Sequence, residues 1–136
     1  MAENVTQPTD ASVDEFLASA EPAGRREDAA VLREMLDRVT GETPVMWGPS
    51  IVGYGTYHYR YATGREGDMP VIGFSPRKAS MSLYGIQFDG SDDLLAQLGP
   101  AKRGAGCVWV GRFAKLDLDV LERLFAEAWR RGGTSG

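Results

Sequence analysis

The sequence holds one cysteine, Cys107, and one histidine, His58, in 136 residues. A lone thiol forms no intrachain disulfide, which fits a reducing compartment. One thiol and one imidazole cannot supply the four nitrogen or sulfur ligands of a usual zinc site. Any catalytic triad, histidine metal site or imidazole base would have to use His58. No apolar run approaches the roughly 20 residues that a membrane helix needs, so no membrane partner is expected. The opening Met1-Ala2-Glu3-Asn4-Val5 lacks the basic start and apolar core of a signal peptide, and the expected location is the cytoplasm. Excess basic charge is missing too. Lys and Arg number 15 against 19 Asp and Glu, for a net charge of −4, and a generic nucleic-acid binder is usually basic. Nucleic acid is therefore not an expected partner. There is no nucleophile motif and no pair of carboxylates at a readable spacing, so no reaction class can be named. Internal repeats and low-complexity blocks are absent.

What is present is a globular composition, 43% hydrophobic and 25% charged. The length fits one domain, which can bury roughly two-thirds of its unfolded surface and needs no disulfide or metal to fold. Residues 1–11 are polar and aperiodic and read as a tail, residues 12–131 as the domain, and the glycine-rich 132–136 as a second tail. Ser12-Val13-Asp14-Glu15 is a capping box that opens a short helix burying Val13, Phe16 and Leu17, ended by Pro22. Residues 25–40 predict a second helix, with Leu32, Met35, Leu36 and Val39 on one stripe and Gly41 as its stop.

From Pro44 the period changes. A short extended run ends at Trp47, and residues 51–61 predict one long strand in which Tyr57, Tyr59 and Tyr61 share a face opposite Tyr54, Thr56, His58 and Arg60. Residues 62–68 form the turn, 69–75 the returning strand and 77–83 the next one. Ser91-Asp92-Asp93 caps a short helix, residues 100–106 read as a basic turn, and 107–111 as a last strand. Asp117 or Asp119 opens a final amphipathic helix carrying Leu118, Leu121, Phe125 and Ala128. The fold class is α+β, an antiparallel β-sheet with helices packed on one face.

Several segments carry a family resemblance. They are Thr40-Gly41-Glu42-Thr43-Pro44, Met46-Trp47-Gly48-Pro49-Ser50-Ile51-Val52-Gly53-Tyr54-Gly55, Gly64-Arg65-Glu66-Gly67-Asp68, Gly73-Phe74-Ser75-Pro76-Arg77-Lys78 and Cys107-Val108-Trp109-Val110. With Ser12-Val13-Asp14-Glu15-Phe16 they resemble the YdhG-like family of uncharacterised domains, over nearly the whole chain outside the two tails. The resemblance implies a frataxin-like sandwich. Some members are described as frataxin-like iron chaperones, which implies iron binding by an acidic first helix. Here that helix offers Asp14 and Glu15, with Glu21 just beyond, while Arg25, Arg26, Arg33 and Arg38 intersperse the second.

Two functional readings follow. The first is a binding module for a small anionic or polar ligand, or for a protein partner, using Trp47, Tyr54, His58, Arg77 and Lys78. Aromatics with a few convergent polar groups line ligand pockets, and they also fill small sheet cores. Arg77 and Lys78 follow a hydroxyl residue between two strands and supply a planar fork and a point charge for an anion. The second reading is an iron carrier using Asp14, Glu15 and Glu21. Cys107 opens an apolar strand as a small hydrophobe, or it is a thiolate stabilised by nearby Lys102 and Arg103. A tyrosine-rich sheet face is also a surface on which two copies could pair as a homodimer. The alternation leaves open which face meets the helices. If they cover the Tyr54 face, the site moves to Arg77–Lys78 or to the acidic first helix.

Overall fold

The computed structural model describes residues 8–60, 62–104 and 106–132. Tyr61, the outer parts of both expected tails and Ala105 of the expected basic turn lie outside the described residues.

The described elements are β1 (Pro8–Thr9), α1 (Val13–Ala18), α2 (Ala23–Thr40), β2 (Val45–Trp47), β3 (Ile51–Tyr54), β4 (Tyr57–Arg60), β5 (Glu66–Met69), β6 (Ile72–Pro76), β7 (Met81–Tyr84), α3 (Asp92–Leu98), β8 (Ala101–Arg103), β9 (Val108–Val110) and α4 (Leu118–Arg130), with a 3-10 turn at Phe113–Lys115. Seven strands make one antiparallel sheet in the order β1-β2-β3-β6-β7-β9-β8, and β4 pairs only with β5. The α+β class expected from the sequence is what the chain forms.

The helices begin and end where side chains and glycine dictate. Ser12 Oγ accepts the Glu15 amide at 3.1 Å, the first half of a capping box. Asp117 caps α4 by accepting the Val120 amide. Gly41 stops α2 in the left-handed region at φ 67°.

One row of side chains explains the layering. Met46, Val52, Phe74, Leu83 and Val108 are cross-strand neighbours through β2, β3, β6, β7 and β9. All five are fully buried, in one cluster with Ala29, Leu32, Leu36, Leu121, Leu124 and Phe125 from α2 and α4. Tyr54 and Ile72 extend the same face. The helices therefore cover the Tyr54 face.

The expected strand over 51–61 is instead two. Gly55, at φ 73°, turns the chain beneath the Trp129 ring, where a side chain on it would clash. Pro70, on the returning side, has no N–H to continue the ladder. The Val71 amide, bonded to Tyr54 O at 3.1 Å, is the last link before the bend. β4 and β5 beyond it form a two-stranded arm, separate from the main sheet. Three smaller corrections follow. Residues 77–80 are a turn closed by the Arg77 amide on Ser80 O. The expected basic turn contains the charged edge strand β8. Pro8 and Thr9, read as tail, pair with β2.

On the second face of the sheet, Trp47 lies against Gly53. A Cβ added to Gly53 would sit 2.4 Å from Trp47 Cδ1 and 2.7 Å from Pro70 Cβ. The Trp47 indole N–H is buried without a hydrogen-bond partner among the described residues. Because ring and proline are both fixed, Gly53→Ala overpacks the site and is expected to cost about 1–3 kcal/mol in chemical denaturation. Gly106→Ala meets nothing within 4 Å and should leave the midpoint unchanged.

Candidate functional site

The five residues expected to share a ligand site do not meet. Trp47 and Tyr54 are both fully buried, on opposite faces of the sheet. Tyr54 donates to Asp37 Oδ1 at 2.7 Å beneath α2. Burial first, then the Asp37 hydrogen bond, pushes its hydroxyl far above the usual tyrosine range, so it stays protonated. His58 stands on the arm. Arg77 and Lys78 lie past the other end of β6, whose 5 residues span roughly 16 Å at strand rise. Tyr54 pairs with Ile72 at the far end of β6, His58 is on the arm, and the Trp47 ring is buried against Gly53 and Pro70, away from Arg77 and Lys78.

The arm holds His58 between two carboxylates of the opposite strand. Its Nδ1 lies 2.7 Å from Asp68 Oδ1 and its Nε2 2.7 Å from Glu66 Oε1. Arg60 also donates to Glu66, at 3.2 Å. A neutral imidazole carries one N–H, so both contacts are made only by the imidazolium. On the other face the Tyr59 ring lies across Gly67.

The cationic end has a different construction. Arg25, in the first turn of α2, is only 6% exposed. Its Nε donates to Arg77 O at 2.9 Å and its Nη1 to Gly111 O at 3.4 Å, stitching α2 to the β6–β7 turn and to the loop after β9. No carboxylate pairs with it among the described residues. Asp28, one turn on and 5% exposed, accepts instead from Arg112 Nε at 2.9 Å and the Phe113 amide at 3.0 Å. The Arg112 guanidinium lies against Gly24 and also reaches Glu27 at 3.5 Å. The first turn of α2 has no acidic residue and no side-chain cap. Arg77 and Lys78 are exposed and form no ion pair with another described residue. Sequence reading singled out Arg77 and Lys78 but treated Arg25 as an ordinary helix residue. The available signal was an arginine pair placed at the positive end of a helix dipole.

Cys107 is half-buried, and burial raises its thiol pKa against a smaller lowering by Arg77. That environment disfavours a thiolate. Asp14 is paired with Arg33 at 2.6 Å, and no group of three His, Cys, Asp or Glu among the described residues is placed to hold an ion. Nor is any helix among them long and apolar enough to cross a membrane. No family model, curated protein or solved structure matches the chain.

The arm has a defined pH window. The Asp68 hydrogen bond first, then that of Glu66, raises the His58 pKa above its ordinary 6.5. Its contribution is complete below 6.5 and is lost as pH rises through the folded value. The hydrogen bond from His58, then that from Arg60, lowers Glu66 below 4.5, so its contribution is lost as pH falls through that lower value. The protection of β4 and β5 amides, measured relative to the intrinsic exchange rate at each pH, should be greatest between the two limits. His58→Gln should remove the alkaline limit and weaken the acid one, leaving on the acid side the part that Arg60 contributes.

Proposed function

We propose that this domain is a binding module for a small oxyanion, held at the amino end of α2 by Arg77 and Lys78 over the buried Arg25. One observation carries the reading: a guanidinium withdrawn from water whose described partners are two neutral carbonyl oxygens. A buried charge is ordinarily paired, because the desolvation it suffers needs an opposite charge to offset it. At this end the partner that would ordinarily serve, Asp28, is engaged by Arg112 and the Phe113 amide. Arg25, Arg112 and the turn carrying Arg77 and Lys78 come together there against Glu27 and Asp28, in a chain whose net charge is −4. An anion entering beside Arg77 and Lys78 meets charge-assisted donors, and the positive end of an 18-residue helix reinforces them.

The resemblance to YdhG-like domains stands with this reading as a proposal resting on the motifs quoted above. It implies a frataxin-like sandwich and, through its iron-chaperone members, iron as the ligand of the alternative reading.

The test is a thermal-shift series with inorganic phosphate and, separately, citrate, at ionic strength matched by sodium chloride. An anion at ten times its Kd adds about 1.4 kcal/mol of stability, a rise of a few degrees in Tm for a domain of this size. Arg77→Ala combined with Lys78→Ala should abolish that rise while leaving the Tm without ligand nearly unchanged, since both side chains are exposed. No rise beyond the chloride control, or an equal rise in the double variant, would sink the reading.

A further inference from the structure

We propose that a second site, sharing no residue with the first, lies between α4 and the loop before α3 and takes a small amphipathic anion: an apolar ring or short chain carrying one charged head. The groove there, open to solvent on one side, measures about 430 Å³, within the size range of small-ligand pockets. Its apolar lining comes from Phe88, Leu94 and Ala126, and its rim from Arg123, Glu127 and Arg130. Arg123, Ala126, Glu127 and Arg130 follow one another at i, i+3, i+4 and i+7, a single outward stripe of α4. Alanine in the middle of that stripe leaves the space between the charged chains open.

The charge at the rim is one-sided. Glu127 is its only carboxylate and is already saturated. Arg130 binds it through Nε and Nη2, and Arg131 through Nε at 3.1 Å. The hydrogen bond from Arg130 leads in holding that carboxyl below its usual range, so it stays ionised and occupied. The Arg131 guanidinium also lies 4.8 Å from the centre of the Phe88 ring, which fixes the ring as a wall of the cleft. Glu122, on the neighbouring stripe, is held by Arg38 of α2 at 2.7 Å. Arg123 forms no ion pair with another described residue, and its fork is free to take the head of a ligand. A purely apolar guest would leave that guanidinium unanswered, and a bare inorganic anion would leave the apolar wall wet. The two halves of the lining together select a molecule with both properties.

The probes are phenylacetate, phenyl phosphate and benzyl alcohol, followed by amide and methyl NMR shifts on the full chain. Both anions are expected to move the signals of Leu94, Ala126 and Arg123, with benzyl alcohol binding about tenfold more weakly, the worth of one charged hydrogen bond. The tighter of the two anions assigns the head as carboxylate or phosphate. Arg123→Gln should reduce anion binding to the level of benzyl alcohol. Ala126→Trp, at an exposed position that folding does not need, should fill the cleft and remove all three. The proposal is overturned if the alcohol binds as well as the anions, or if either substitution leaves phenylacetate binding intact. Inorganic phosphate binding at Arg77 and Lys78 should be unaffected by both variants, so this site can fail without the other.

Discussion

Everything else in the molecule is arranged around the buried row Met46–Val52–Phe74–Leu83–Val108. Burying a side chain of this kind contributes about 1.5–3 kcal/mol, and a whole domain is stable by only about 5–15 kcal/mol. The row therefore fixes which way the sheet faces. Strand alternation then assigns every neighbour: Tyr54 and Ile72 go under the helices, and Trp47, Gly53, Gly73, Ser75 and Ser82 go to the reverse side. A one-residue slip in any strand would exchange the two sets, so register here is also the rule that decides which groups remain free for function.

With the helix-side face filled, polar chemistry is left to the reverse face and the rims. At the amino end of α2, two needs compete for one carboxylate. Arg25 requires a counter-charge, and so does the loop carrying Arg112 and the Phe113 amide. Asp28 serves the loop, which leaves Arg25 with carbonyl dipoles. Those bonds still do mechanical work, because they pin the Arg77–Ser80 turn and the Gly111 loop to the helix. The same arginine thus holds the turn in place and gives it a positive potential.

The local grammar of the chain was legible. Ser12, Asp117 and Gly41 mark helix ends by chemistry that acts over a few residues, and the stripe of Leu32, Met35 and Leu36 is buried as its period implies. The candidate site was less legible, because the alternation over residues 51–61 was carried through Gly55. A pattern of period two says which face a residue takes only while the strand is unbroken. At Gly55 and Pro70 it breaks, so Tyr54 and His58, four residues apart and nominally on one face, belong to different sheets. The pairing of a glycine with a proline across the hairpin was the visible warning. Arg25 was illegible for another reason. Its burial depends on the β6–β7 turn and the loop after β9, contacts 52 and 86 residues away that no local window contains.

The charges tell the same story at the scale of the whole chain. Most carboxylates that touch another element are already matched: Asp14 with Arg33, Glu122 with Arg38, Asp92 with Arg103, and Glu66 and Asp68 with His58. Such exposed pairs contribute little stability one by one, but each removes a cation from the pool that a ligand could meet. Arg77 and Lys78 beside the α2 terminus and Arg123 on α4 form no ion pair with another described residue, and neither do Arg25, Arg26, Arg65, Lys102 and Lys115, so the two proposed sites are set apart by what lies beside the cation rather than by its lack of a carboxylate. A net charge of −4 keeps most anions at a distance. Under the proposed reading, local positive potential at Arg77 and Lys78 and at Arg123 would offset that field over a short range. If the two proposed sites bind anions, the acidity of the chain and the local cations act together: the general field discourages indiscriminate anion binding, and the cations set where binding is favourable.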